Sequence, residues 1–179
     1  RNFCDESIHI RDAKLVAAAH GYDALMASIR PTEKLPGKKA AIIGGGPTGI
    51  AAAYFLARGG VQTTIFEREE KLGGVPRYVI PAFRISDEAL DKDVALMERL
   101  GVEVKCGAPA PSVAELKKMG YTHILLATGA WQAGELGIPG NVRGVIAWMK
   151  EMKQQVKPCL EGHVVVVGAG NTAMDAARV

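Results

Sequence analysis

A chain of 179 residues, 48% hydrophobic and 23% charged, has the composition of a soluble globular protein and the length of one domain, or one domain with a piece of another. A net charge of +3 comes with no basic stripe or nucleic-acid motif, so Lys38-Lys39 and Lys117-Lys118 read as solvated faces and nucleic-acid binding is not expected. No apolar run approaches the roughly 20 residues that span a bilayer; no secretory leader opens the sequence, and its start at Arg1 suggests a beginning inside a longer protein.

Residues 8–29 space Ile8, Leu15, Val16, Ala19, Leu25, Met26 and Ile29 as the apolar stripe of a helix, which Gly21 is expected to interrupt and Pro31 to end. Residues 31–38 form a turn-rich linker. A β-α-β pattern follows: an apolar strand over 39–43, a small-residue helix over 48–58 closed by Gly59-Gly60, and a strand over 62–67. An apolar strand beside a crossover helix points to a parallel sheet covered on both faces. Residues 72–85, with paired glycines, prolines and aromatics, read as a shaped loop. Ser86 then caps a helix, Asp87 and Glu88 suit its positive end, and Gly101 stops it. Further on, the pattern predicts strands over 102–104 and 122–127, helices over 112–119 and near 145–155, a loop over 134–144, and a second apolar strand over 163–167. The expected fold is α/β, with a Rossmann-like parallel sheet.

Two glycine-rich turns follow strands of this pattern. In the first, Gly44-Gly45-Gly46-Pro47-Thr48-Gly49, Gly44 permits the tight turn, Gly46 lets the backbone approach a pyrophosphate, and Gly49 lets the helix pack on the strand. The N–H groups that open the helix suit an anion. A fold of this kind also calls for an acidic residue about 20 positions on, and Glu67 stands there, able to accept from ribose hydroxyls. Arg68 follows it. The pair Gly73-Gly74 allows the backbone to pass near a bulky cofactor, and Ala127-Thr128-Gly129 suits a chain crossing beneath a dinucleotide. The second turn, Gly168-Ala169-Gly170-Asn171-Thr172-Ala173, has the looser G-x-G-x-x-A form, with Asn171 and Thr172 placed to meet a phosphate.

Cys4, Cys106 and Cys159 lie far apart, which fits a reducing cytoplasm better than a disulfide framework. None pairs as Cys-x-x-Cys, so the exchange of electrons between a flavin and a neighbouring dithiol is not expected. Cys106 reads as a buried structural thiol. His9, His20, His123 and His163 have no metal-ligand spacing, and no metal site is expected. Redox chemistry in such a protein belongs to cofactors, so no catalytic acid, base or nucleophile is assigned.

The order of the first turn, Glu67, Leu72-Gly73-Gly74, Ile80-Pro81-Ala82-Phe83-Arg84, Ala127-Thr128-Gly129 and the second turn through Met174-Asp175 resembles the small subunit of NADPH-dependent glutamate synthase. It is also similar to that subunit's relatives, including the flavin half of dihydropyrimidine dehydrogenase and selenate reductase subunits, all FAD/NAD(P)-binding oxidoreductases. The resemblance covers most of residues 8–179, and Ile80–Arg84 is its most discriminating part. It implies an FAD domain with an inserted NAD(P)H domain, preceded by cysteines that bind two [4Fe–4S] clusters. Electrons would pass from NADPH or NADH through FAD to the clusters and on to the active site of a larger partner subunit or domain. The boundaries implied are 1–37 for the end of an iron–sulfur domain and linker, 38–158 for the first part of the FAD domain, and 159–179 for the start of the NAD(P)H domain. The resemblance places Gly44, Gly46, Pro47, Thr48 and Gly49 at the FAD pyrophosphate and Glu67, with Arg68 beside it, at the ribose. It places Gly74 and Arg84 near the cofactor, Thr128 and Gly129 closing over it, and Gly168, Gly170, Asn171 and Thr172 at the NAD(P)H site. The cluster cysteines and the rest of the NAD(P)H domain would lie in the longer parent, of which this chain would be a truncated fragment.

Two other classes share the first turn and Glu67. An FAD-dependent amine oxidase or monooxygenase would account less well for Ile80–Arg84, and a non-enzymatic dinucleotide-binding module would need no flavin.

Overall fold

The computed structural model describes residues 8–132, 134, 137–154 and 160–179, which leaves Cys4 and Cys159 outside the described residues. The chain divides into two compact units, residues 1–30 and 31–179. In the first, helix α1 (Ile10–Ser28) runs unbroken through Gly21, and the extended Ile29 ends it two residues before Pro31. The expected interruption at Gly21 is absent because one glycine costs a helix only about 1 kcal/mol, which a helix of 19 residues tolerates. The expected apolar stripe is not a buried seam either: α1 has no buried residue, and Ile8, Leu15, Val16 and Leu25 are exposed.

The second unit alternates β1 (Lys39–Ile43), α2 (Pro47–Arg58), β2 (Gln62–Phe66), α3 (Val75–Tyr78), α4 (Asp87–Glu98), β3 (Glu103–Lys105), α5 (Val113–Lys118) and β4 (His123–Leu126), followed by α6 (Val145–Gln154) and α7 (Asn171–Ala176). Among the described residues the strands form a four-stranded parallel sheet in the order β3-β2-β1-β4, with Ile42 of β1 opposite Ile65 of β2 and Leu125 of β4. Strand β1 is central, and its Ala40, Ala41 and Ile42 are buried.

Thr63 and Thr64 are buried in β2 with their hydroxyls satisfied, Thr63 donating to the Val61 carbonyl and Thr64 to Oε2 of Glu103. The Thr64 hydroxyl, helped by Lys105, holds the Glu103 carboxyl below its ordinary value against the opposing effect of burial.

Local signals position the helices. The Ser86 hydroxyl accepts from Ala89 N–H at 3.3 Å to start α4, and Gly101, at φ +77°, follows its end. Ser112 and Glu115 form a reciprocal capping box at α5. That cap aims the fully buried Leu116 into a cluster with Ala41, Phe66 and Tyr121, in which the two rings meet edge to face. Residues 72–85, expected as loop throughout, contain the single turn of α3.

The segment 163–167 departs from expectation in the opposite sense. It forms no ladder among the described residues, and Val164 to Val167 are all exposed. Branched apolar residues favour a strand, but a strand exists only where a neighbour takes its hydrogen bonds.

In this strand order the chain leaves β1 toward one side through β2 and β3 and returns to the other at β4. The carboxyl ends of β1 and β4 therefore flank the crevice where open α/β sheets take their ligands. Replacing Leu116 by Ala empties the core under this crevice and is expected to lower unfolding stability by about 2–4 kcal/mol, read as a fall in urea midpoint at constant slope.

Candidate dinucleotide site

The first glycine turn lies at that crevice, and its glycines have unequal tasks. At Gly44 (φ +109°) a Cβ would stand 2.3 Å from the Ala127 carbonyl oxygen, because the chain leaving β4 crosses directly against the turn. At Gly49 a Cβ would stand 2.0 Å from the Gly44 carbonyl oxygen, the close helix–strand packing expected of that position. Gly46 differs: it is the N-cap of α2, has φ −76°, and a Cβ there would meet nothing nearer than Gly74 Cα at 3.8 Å. The ladder of α2 starts with Ile50 N–H donating to the Gly46 carbonyl at 2.9 Å, and Pro47 has no N–H, so the helix uses neither the Thr48 nor the Gly49 donor. An open glycine beside leftover donors at a helix N-terminus fits an anionic group such as a pyrophosphate.

Glu67 holds this turn from behind. It sits just past β2 and is 7% exposed; its Oε2 accepts from Gly45 N–H at 2.6 Å and its Oε1 from Glu69 N–H at 2.9 Å. Each carboxylate oxygen keeps a further lone pair, so the group can still accept from hydroxyls.

Gly73 and Gly74 close the turn from the side. Gly73 N–H donates to the Gly45 carbonyl at 2.8 Å, and a Cβ on Gly74 (φ +59°) would lie 2.8 Å from Gly46 Cα. Gly74 is thus needed first for backbone-to-backbone packing, and Gly73 (φ +129°) for room beside the Arg77 side chain, whose Cβ an added Cβ would approach to 2.7 Å. Thr128 Cα lies on the other side, against Gly44; Gly129 (φ +73°) stands beside Trp131, whose indole carries the Arg68 guanidinium 5.2 Å from its centroid.

Arg77 is the residue that sequence reasoning missed. It is 5% exposed, donates through Nε to the Leu72 carbonyl and through Nη2 to Asp91, and has Nη1 3.6 Å from an Asp87 oxygen without a hydrogen bond. It pins the double-glycine loop to the start of α4. The available signal was the acidic pair Asp87 and Asp91, one turn apart on a helix and in need of a cation.

The second turn is built more loosely. Gly168 has φ +133° and Gly170 is the N-cap of the six-residue α7, but a Cβ on Gly168 would meet only Ala173 Cβ, at 3.4 Å, and one on Gly170 nothing within 4 Å. Asn171 and Thr172 are exposed at the start of that helix. Arg84 lies against this turn's helix, with Nε and Nη2 each 2.6 Å from Asp175 Oδ1. Cys106, expected to be buried, is only partly so; burial and then Glu67, Glu70 and Glu98 raise its thiol above the ordinary value, which disfavours the reactive thiolate.

A parallel sheet with an open glycine at its switch point and an acidic residue behind the turn defines a dinucleotide-binding α/β protein. Residues 38–179 match the pyridine nucleotide-disulphide oxidoreductase family, and the chain belongs to that family of FAD/NAD(P)-binding oxidoreductases. It is 38% identical to the putative oxidoreductase YgfK of Escherichia coli strain K12 over 97% of its length and 17% of that protein's. It is 31% identical to the glutamate synthase [NADPH] small chain of Mycobacterium tuberculosis strain H37Rv over 95% of its length and 39% of that protein's. The chain thus spans well under half of these relatives. A solved structure of 2-naphthoyl-CoA reductase shares the fold at TM-score 0.62 and 22% identity, over 90% of this chain and 24% of that one. No helix among the described residues is long and apolar enough to cross a membrane.

The unequal glycines give a discriminating pair of substitutions. Gly46→Ala is expected to leave stability within about 0.5 kcal/mol while greatly reducing dinucleotide retention after desalting. Gly49→Ala, which forces the Gly44 carbonyl to move, is expected to cost about 1–3 kcal/mol by denaturant melt. Glu67→Gln places an amide NH2 opposite a backbone N–H; a loss of about 1–3 kcal/mol is expected in the same melt.

Proposed function

We propose that the protein carrying this chain transfers electrons from NADPH or NADH through FAD to iron–sulfur clusters and the active site of a larger partner, as a glutamate-synthase small-subunit type of oxidoreductase. The first turn is the seat of the FAD pyrophosphate and ribose, and the second is the opening of the NAD(P)H site. The observation that carries this reading is Gly46, an open position among glycines that have no space for a side chain.

Bound FAD supplies the capacity to take an electron pair and release single electrons. The chain's own residues bind and orient. Gly44 and Gly49 shape the turn; Gly46 admits the pyrophosphate; Pro47 sets the first helical residue; and Thr48 and Gly49 N–H groups face the anion. Glu67 accepts from the ribose hydroxyls, with Arg68 and Trp131 forming a wall beside it. Gly74, Thr128 and Gly129 allow backbone to pass close to the cofactor. Gly168, Gly170, Asn171 and Thr172 begin the nicotinamide dinucleotide site, and 1–37, 38–158 and 159–179 are the corresponding domain portions. Clusters would be held by cysteines of the parent protein outside this chain, in a cytoplasmic setting that suits unpaired thiols. The glutamate synthase [NADPH] small chain supports the choice of donor by its name.

Anaerobic titration of the complete natural protein tests the reading. The expected result is a bound-flavin absorption band that bleaches stoichiometrically with NADPH or NADH. A band that bleaches only with an amine or another organic substrate would move the protein to the oxidase or monooxygenase class. Adenine-nucleotide binding without any flavin would make it a non-enzymatic module.

A further inference from the structure

We infer that Arg77 is a positioning residue for the first dinucleotide: by tying the double-glycine loop to α4, it fixes the approach of Gly74 to Gly46 at the mouth of the pyrophosphate seat. The inference rests on the proposed place of the flavin dinucleotide at the first turn and adds what holds that seat in shape.

Gly73 and Gly74 both have positive φ, and glycine gives up more backbone freedom on folding than any other residue. A loop built on such a pair keeps one shape only if something outside it supplies the restraint. Arg77 grips it at three points. Its Nε donates to the Leu72 carbonyl, just ahead of the glycines. Its Cβ fills the space beside Gly73, and its backbone N–H donates to the Gly74 carbonyl at 3.0 Å. The far end of the side chain reaches α4, with Nη2 2.5 Å from Asp91 Oδ1 and Nη1 3.6 Å from Asp87 Oδ1. Helix α4 in turn packs against α2, the helix whose N-cap is Gly46. One frame thus carries both sides of the contact: α2 presents Gly46, and α4 holds Gly74 through Arg77.

Stability alone is a poor reason for this arginine. It is buried, yet Nη1 has no hydrogen-bond partner, and a buried donor left so is a cost. The Asp87 and Asp91 side chains are 60% and 62% exposed, so water already serves them. An apolar side chain of similar length would fill the space with no donor to satisfy. It would lose the planar fork, which holds a carbonyl and a carboxylate at once in fixed directions. A loop held beforehand in its bound shape spares the ligand the work of ordering it.

The test uses the complete natural protein, stripped of flavin and titrated with FAD, and the variants Arg77→Met, Asp91→Ala and the two combined. Dissociation constants are read from the quenching of flavin fluorescence, and a urea melt of each apoprotein checks cooperative unfolding. Arg77→Met is expected to raise the FAD constant about tenfold, the factor that follows if the closed loop falls to about a tenth of the population. Asp91→Ala is expected to raise it about threefold alone and to add nothing beside Arg77→Met, because it acts through the arginine. An unchanged constant in Arg77→Met, whatever the urea midpoint, would overturn the inference by leaving Arg77 a packing residue. Equal effects of Asp91→Ala in both backgrounds, including no effect, would overturn it by cutting the link through α4. If Arg77→Met does not unfold cooperatively, Arg77→Lys takes its place in the same cycle and the same outcomes decide. A wild type that binds no flavin removes this inference together with the proposed function. A bound flavin that neither NADPH nor NADH bleaches removes the function alone, and the cycle still decides the inference.

Discussion

The site depends on one buried hydrogen bond, from Gly45 N–H to Oε2 of Glu67, 2.6 Å long. A glycine turn has little reason of its own to keep one conformation, since each glycine gives up more backbone freedom on folding than any other residue. Glu67 fixes it through the sheet: the carboxylate stands at the end of β2, which pairs with β1 along its full length, and grips the turn that follows β1. A charge-assisted bond shielded from water is stronger than an exposed one. The second carboxylate oxygen, bonded to Glu69 N–H, keeps the side chain from swinging away.

Other features are built outward from that turn. Once Gly45 and Gly46 are fixed, Gly73 and Gly74 can approach to backbone contact. Arg77 then anchors the same loop to α4, and Lys150 and Lys153 of α6 reach Glu69 and the carbonyls of Pro76 and Ile80. Desolvation lowers the Lys153 ammonium below its ordinary value, a cost offset by the two carbonyls it serves. The geometry of the candidate site and the tertiary packing are therefore the same contacts seen from two sides, and the glycines of this loop cannot be judged as binding residues until their packing has been counted.

Much of this was legible in the sequence where the cause is local. The apolar run 39–43 became β1 at those residues, and Ser86, Gly101 and Ser112 act within a few positions of themselves. The position of Glu67 just past β2 was visible because the fold fixes its distance from the turn, whereas its bond to Gly45 was not. What was not legible depends on partners far along the chain. Gly21 did not break α1, since propensity is only a weak prior. The valines of 163–167 have strand chemistry but pair with no strand among the described residues. The acidic pair Asp87 and Asp91 could hint at a cation but not at Arg77 in particular, and nothing in the sequence ties Arg84 to Asp175; only folding brings these partners together.

The two glycine turns, so alike in sequence, differ in how much of their conformation is settled before any ligand arrives. In the first, a side chain at Gly44 or Gly49 would strike backbone, and a buried carboxylate holds the turn; little ordering remains for a ligand to bring about, which favours tight and lasting retention. The second has open space around Gly170 and is preceded by an exposed, unpaired segment, and it relies on Arg84 and a small apolar cluster for its place. A site of that kind must be ordered as it binds, and its affinity falls by the free energy that ordering takes. This division suits a cofactor that stays bound at the first turn and a dinucleotide that enters and leaves at the second, so the same fingerprint can serve residence or exchange according to what packs behind it.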